Sequence, residues 1–101
     1  MKEKIKEGIE QSKFFFVIGS ENYFKDTEAL EQAEYAKKLK KPFRILLQRG
    51  VYLPDNFLKG VENIKIRETD LNNKNEAILM CHELLKEEID AISSRRDNSQ
   101  K

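Results

Sequence analysis

Two short apolar blocks constrain the fold of this chain more than any other feature. Phe14 to Ile18 is a continuous run of apolar, β-favouring residues that ends at Gly19-Ser20. Phe43 to Leu47 is a second block, apolar except for Arg44, which ends at Gln48-Arg49-Gly50. Short apolar runs bounded by turn residues are typical of strands that are buried on both faces, as in parallel sheets. We therefore predict two buried strands.

A helix is predicted between these strands, from Thr27 to Lys40. Asp26 or Thr27 can cap its start, Glu28 suits its first turn, and Pro42 stops it. Lysines gather in its last turn, where they complement the helix dipole. A strand, a helix and a strand in this order imply parallel pairing through a right-handed crossover.

Weaker patterns surround this unit. The pattern of residues 2–12 predicts a first helix, and that of Pro54 to Gly60 predicts a loop with a helical turn. The alternation from Asn63 to Ile66 predicts a third strand, at an edge of the sheet. Apolar residues at helical spacing from about Asn75 predict a last helix, namely Ile78, Cys81, Leu85, Ile89 and Ile92. The predicted fold is therefore α/β, a small three-layer parallel sheet of about three strands flanked by helices. We expect one domain, residues 1–92, and a polar tail, residues 93–101, that frays.

Composition excludes several classes of function. Nineteen Lys and Arg residues against 18 Asp and Glu give a formal net charge of +1, which lacks the basic excess of a nonspecific nucleic-acid binder. With one Cys and one His, we expect neither an internal disulfide nor a metal. The longest apolar run, Phe14 to Ile18, is too short to cross a bilayer, and the charged first residues are unlike a signal peptide. We expect a cytoplasmic protein with no membrane or nucleic-acid partner.

The stretch from Ser20 to Phe24, followed by Gln32 to Leu47, resembles the second half of a Toll/interleukin-1 receptor (TIR) domain of bacterial type. In that family a buried strand ends in a Ser, as at Ser20, and an Asn-aromatic pair follows, as at Asn22. A Lys-Pro pair, here Lys41-Pro42, leads into the next buried strand. The resemblance covers roughly Ile9 to Leu85 and implies a flavodoxin-like fold without its N-terminal strand or strands.

This resemblance has a consequence for the sheet edge. The first strand of a TIR domain lies beside the counterpart of Phe14 to Ile18, and it is absent here. The block would then be an apolar edge whose unpaired backbone groups invite pairing with another chain. Phe14 and Phe16 are therefore candidate interaction residues, and the expected partner is another copy or another TIR-like chain. Tyr23 and Phe24 either contact a partner as well or pack in the core.

The resemblance also implies a catalytic position. In the NAD-hydrolysing members of the family a Glu lies on the helix after the Ser loop, and the position in register here is Gln32. Helical spacing places Gln32 at the margin of the packed alanine stripe, with Glu28 as the nearest carboxylate and Glu31 pointing elsewhere. An amide can accept a ribose hydroxyl hydrogen bond but cannot stabilise the positive charge of a breaking glycosidic bond. Glu28 and Glu31 are the candidate catalytic residues. Alternatively, Gln32 is simply a half-buried polar residue, and Glu28 interacts with the helix dipole from the first turn.

A ligand loop is the other candidate site. Ser20 and Asn22 follow the carboxyl end of a strand, and Asp26 begins the next helix, so that a nucleotide could bind there with Gln32 nearby. Alternatively, the Ser and Asn side chains satisfy their own backbone.

Three functions remain open. The first is a TIR-like assembly module in signalling or antiphage defence, without NAD hydrolysis of its own. The second is a TIR-type NAD nucleosidase completed by oligomerisation or by a missing N-terminal segment. The third is a small nucleotide-binding domain. We expect no resident cofactor, and NAD would be a substrate or ligand.

Overall fold

A computed structural model describes the backbone of residues 1–99 and the side chains of residues 1–92. Its strands form one parallel sheet of three strands in the order β1-β2-β3. The strands are β1 (Phe15–Gly19), β2 (Phe43–Gln48) and β3 (Ile64–Thr69). The helices are α1 (Glu3–Gln11), α2 (Thr27–Lys38), α3 (Lys74–Leu84) and α4 (Lys86–Ser99), with a 3₁₀ turn at Tyr23–Lys25. The predicted α/β fold, with a parallel sheet of about three strands flanked by helices, is confirmed.

The central unit is β1, α2 and β2. Phe15 of β1 lies in register with Phe43 of β2, and Phe43 in turn with Ile64 of β3. The helix between β1 and β2 begins where the sequence predicts, because the Asp26 carboxylate accepts hydrogen bonds from the first backbone N–H groups of α2. As predicted, β1 lies at an edge of the sheet.

The larger part of the core lies on one face of the sheet, beneath α1 and α2. It joins apolar residues of both helices and of β1 and β2 with one residue of the Pro54–Gly60 segment: Ile9, Val17, Ala33, Ala36, Phe43, Ile45, Leu47 and Phe57. The alanine stripe of α2 is the close-packed contact, since Ala33 and Ala36 are almost fully buried. The Pro54–Gly60 segment forms turns, and Phe57 anchors it to this core.

The opposite face is held by α3, α4 and a buried ion pair. Leu84 of α3 is fully buried there, and Arg44 of β2 is only 4% exposed. The Arg44 guanidinium donates to Glu88 Oε1 at 2.8 Å, to Asn63 Oδ1 at 3.0 Å and to the carbonyl of Phe43 at 2.9 Å. This charge is therefore tolerated in the interior because it is paired and hydrogen-bonded.

Helix α4 crosses the amino ends of the strands from β3 towards β1. Its Glu87 pairs with Lys65 of β3, its Glu88 pairs with β2, and its Ile92 lies beside Phe14, next to β1. α3 packs on β2 and β3. The carboxyl half of β1 is consequently bare on this face, and Ile18 is 51% exposed. The prediction that both blocks are buried on both faces is correct for β2. It is wrong for the first block, in which Val17 is buried, Phe14 to Phe16 are half-buried and Ile18 is exposed.

The last predicted helix is also different in the structure. It is divided at Leu85 into α3 and α4, and Leu84 is the residue it buries. Ile78, Ile89 and Ile92 are 49%, 40% and 57% exposed, so these members of the predicted apolar stripe are not part of the core. The predicted fraying of the tail, residues 93–101, stays a prediction, since residues 100 and 101 lie outside the described residues. Within residues 1–99, no helix has the length and apolar character needed to span a membrane.

Candidate functional site

The loop after β1 uses its polar side chains locally. The Ser20 hydroxyl accepts a hydrogen bond from the backbone N–H of Tyr23 at 3.2 Å. The Asp26 carboxylate accepts from the backbone N–H groups of Glu28 and Ala29 at 3.0 and 3.3 Å. Asn22 is exposed. Ser20 and Asp26 therefore stabilise the turn and the start of α2. For Ser20, though not for Asn22, this is the second of the two interpretations offered for this loop.

Tyr23 and Phe24 belong to an aromatic cluster. Their rings meet edge to face at 5.2 Å, and Phe24 meets Phe57 in the same way at 5.2 Å. Phe57 in turn lies 6.1 Å from Phe43. The cluster fixes the loop to the core, so both rings pack within the chain. Burial raises the pKa of Tyr23 to about 12, and the nearby negative charge of Asp26 acts in the same direction.

The raised pKa of Tyr23 predicts a loss of stability at high pH. The folded state favours the neutral phenol, so this stabilisation is complete below about pH 10 and declines as the pH rises towards 12. We expect Tyr23→Phe to flatten this decline. At neutral pH we expect the free energy of unfolding of this variant to equal that of the native chain or to exceed it by about 1 kcal/mol. The reason is that the buried Tyr23 hydroxyl has no hydrogen-bond partner among the described residues.

Urea unfolding at pH 8 to 11.5 measures this effect. Tyr52→Phe is the matched control, because the Tyr52 side chain is 90% exposed. It should keep the pH dependence of the native chain, since lysine deprotonation affects all three proteins alike. An unchanged decline in Tyr23→Phe would contradict the assignment.

A cavity between α1 and α2 collects the three candidate residues of α2. Glu28, Glu31 and Gln32 line a space of about 420 Å³ together with Met1, Lys2 and Ile5. Gln32 is half-buried at the margin of the alanine stripe, as its spacing predicts, while both carboxylates are exposed. The Met1 amino group donates to Glu31 at 3.2 Å. Ser20, Asn22 and Asp26 are not among the lining residues, so the structure divides the predicted site residues between two places.

No metal centre is evident in the part of the chain that the structure describes. Within residues 1–99, the His, Cys, Asp and Glu side chains form no group of three or more able to hold a metal ion.

The free edge of β1 is the other notable surface. Phe15 donates its backbone N–H to the carbonyl of Pro42 at 2.8 Å, so Phe15 and Val17 direct their backbone groups towards β2. Residues in a parallel strand alternate in this respect. Phe14, Phe16 and Ile18 therefore direct their N–H and C=O groups outwards. Of these groups, the Ile18 carbonyl accepts a hydrogen bond from Ser20 N–H at 2.9 Å.

Apolar cavities lie on both sides of this edge. On the core side, a groove of about 560 Å³ separates α1 from the start of β1, and Ile5, Gly8 and Ile9 of the helix lie on its wall. On the opposite side, a cavity of about 290 Å³ lies between α4 and Phe14. We call the second space the α4 cavity; its lining residues are Lys13, Phe14, Glu87, Glu88, Ala91 and Ile92. A strand placed beside β1 would direct alternate side chains into these two spaces.

Comparison with known proteins gives no identification. No protein-family model, curated protein or solved structure matches this chain. The resemblance to TIR domains therefore stays a prediction that rests on the residues from Ser20 to Leu47.

The sequence predicts the position of this edge but not the exposure of the surface beside it. Phe14 to Ile18 is the predicted edge block, and the interaction role of Phe14 and Phe16 stays a prediction. The exposure of Ile18 and Ile92, 51% and 57%, has no counterpart among the predictions. The stripe on the last helix gave no signal of this, because its spacing is the same for a buried and an exposed apolar face.

Proposed function

We propose that this chain is an assembly module whose β1 edge receives an extended strand from another polypeptide. The observation that supports this most directly is an apolar strand edge with outward backbone groups between two apolar cavities. Main-chain hydrogen bonds would supply affinity, and the cavities would select alternate side chains.

The two edges of the sheet differ in a way that favours β1. Proteins protect edge strands with charged residues, prolines or bulges. β3 carries Lys65, Arg67 and Glu68 among its six residues. β1 has the sequence Phe-Phe-Val-Ile-Gly, with no charge and no proline. One edge is thus protected against pairing, and the other is not.

The resemblance to TIR domains supports the same proposal. In that family a further strand lies beside the counterpart of β1, so a strand from elsewhere would restore a familiar arrangement. The resemblance also assigns such assembly to signalling or antiphage defence. We propose this setting for the module, without NAD hydrolysis of its own, because Gln32 occupies the position of the catalytic carboxylate.

NMR titration of the ¹⁵N-labelled chain tests the proposal. The probe is an extended seven-residue peptide of alternating Val and Thr with Lys at each end, added up to millimolar concentration to dilute protein. We expect the largest amide shifts at Phe16 and Ile18, whose N–H groups face outwards. Ile18→Glu should weaken binding at least about fivefold, since a single charge on a strand edge opposes pairing.

Leu79→Glu is the matched control. Leu79 is 58% exposed on α3, comparable with Ile18, but it does not lie on the sheet. This variant should bind the peptide as the native chain does. Equal losses in both variants, or shifts confined to residues away from β1, would contradict strand addition at this edge.

A second candidate, NAD hydrolysis, is favoured by the cavity that joins Glu28, Glu31 and Gln32. Incubation of concentrated protein with NAD, followed by measurement of nicotinamide release, decides between the two. We expect no release from the native chain. Gln32→Glu supplies the carboxylate that the resemblance requires and is the informative comparison. If the native chain releases nicotinamide and Glu28→Ala or Glu31→Ala abolishes it, the enzyme interpretation is correct.

A further inference from the structure

Two apolar features lie on one face of the sheet, one projecting and one hollow. Ile18, at the carboxyl end of β1, projects from the bare part of the sheet with half of its surface exposed. The α4 cavity lies at the opposite end of β1, beside Phe14, and it is lined mainly by apolar surface. Within one copy these features are separated by the length of the strand. An antiparallel neighbour would bring the end of one strand beside the start of the other.

The backbone groups of the edge are complementary in the same arrangement. In an antiparallel pair, residues directly opposite each other can exchange both of their hydrogen bonds. If Phe16 lies opposite Phe16 of a second copy, the two residues exchange their outward N–H and C=O groups. Ile18 N–H of each copy then donates to Phe14 C=O of the other copy. In the same pairs, Phe14 N–H of each copy donates to the Ile18 carbonyl of the other, which also accepts from Ser20 N–H and has a second lone pair for this bond.

We propose that a second copy of this chain pairs with β1 antiparallel and centred on Phe16, so that Ile18 of each copy enters the α4 cavity of the other. This proposal rests on the proposed function and names the partner. The same register that satisfies the backbone groups also places Ile18 opposite Phe14, on the wall of the cavity. The register with the most backbone hydrogen bonds and the position of the α4 cavity thus favour the same arrangement.

The other face of the sheet accommodates this arrangement. A two-fold axis perpendicular to the sheet places the α1 helices of both copies side by side on the core face. The α1 residues that line the groove beside the edge are Ile5, Gly8 and Ile9, and a Cβ atom added at Gly8 would meet no atom within 4 Å. The near-neutral net charge of +1 causes little repulsion between copies. Because the contact is isologous, it closes as a dimer with a continuous sheet and does not propagate.

Disulfide trapping tests the register. Cys81 is replaced by serine in every variant. In the proposed dimer, residues 14 and 18 of opposite copies have Cα atoms about 5.5 Å apart, within the range of a disulfide. Two residues 18 are about 14 Å apart, from a rise of ~3.4 Å per residue and a strand spacing of ~4.8 Å. The double variant Phe14→Cys/Ile18→Cys should therefore form at least about tenfold more covalent dimer than either single variant.

Sedimentation of chains without new cysteines provides the second measurement. The native chain and Leu79→Glu should reach twice the 11.9 kDa mass of one chain at high concentration, and Ile18→Glu should remain a monomer. A single variant that cross-links as well as the double variant, or a native dimer that Ile18→Glu leaves intact, would overturn the proposal. If the native chain is monomeric while the Val-Thr peptide still binds at Phe16 and Ile18, the second copy is wrong and the strand-receiving function stands. If neither occurs, both fail.

Discussion

Replacing Glu88 by alanine is expected to lower the free energy of unfolding by about 3 kcal/mol. The variant leaves the Arg44 guanidinium, 4% exposed, without the carboxylate at 2.8 Å that neutralises it. Removing one partner of a buried ion pair costs roughly 3 to 5 kcal/mol, and we take the lower value because the Glu88 side chain is 20% exposed. Urea unfolding followed by far-UV circular dichroism measures the change.

The neighbouring residue Glu87 provides the control. It forms an ion pair with Lys65, but its side chain is 76% exposed, so Glu87→Ala should leave the urea midpoint nearly unchanged. The double variant Arg44→Met/Glu88→Met should recover much of the stability that Glu88→Ala loses, because it removes the buried charge along with its partner. Equal costs for Glu87→Ala and Glu88→Ala would show that burial of Arg44 is unimportant for stability. Glu88 also lines the α4 cavity, so Glu88→Ala should weaken dimerisation too.

Replacing Phe43 by alanine is expected to cost about 4 kcal/mol, the largest loss of any single core substitution in this chain. Phe43 is fully buried in the central strand and contacts the rings of Phe15 at 5.1 Å and Phe57 at 6.1 Å. Truncating a buried Phe to Ala typically costs about 3 to 5 kcal/mol through lost transfer free energy and the cavity left behind. Since domains of this size have a total stability of about 5 to 15 kcal/mol, much of the variant should be unfolded near physiological temperature.

Two variants bracket the effect of Phe43→Ala. Phe43→Leu keeps most of the volume and should lose less than half as much stability. Tyr52→Ala removes an aromatic ring that is 90% exposed and should change the thermal midpoint little. A cooperative transition in Phe43→Ala at the native temperature would contradict the description of this residue as the centre of the core.

The parts of the fold that the sequence predicted are those with local signals. The helix from Thr27 has a capping Asp26 before it, which acts as expected. It ends at Lys38, two residues before the predicted end, and Lys40 has a positive φ of 60° ahead of Pro42. The part that could not be predicted depends on contacts distant in the chain. Phe57 is an isolated aromatic in a polar segment, and its burial requires the ring of Phe43. The burial of Arg44 depends on a carboxylate 44 residues later.

The candidate site was predicted to a similar extent. Helical spacing correctly placed Gln32 at the margin of the packed stripe of α2. It could not show that Glu31 shares a cavity with Gln32, because α1 forms the other wall of that cavity. The division at Leu85 was also beyond prediction, since neither Gly nor Pro marks it. That division redirects α4 across the sheet and creates the cavity beside Phe14.

The order of the strands in space is the same as their order along the chain. Each further strand along the chain therefore lies on the side away from β1, and the sheet extends in one direction only. β3 pairs with the second edge of β2, whereas β1 has no neighbouring strand on its outer side among β1, β2 and β3. Pairing of this outer edge requires a strand other than β1, β2 and β3. The availability of that strand would then control whether the sheet is completed.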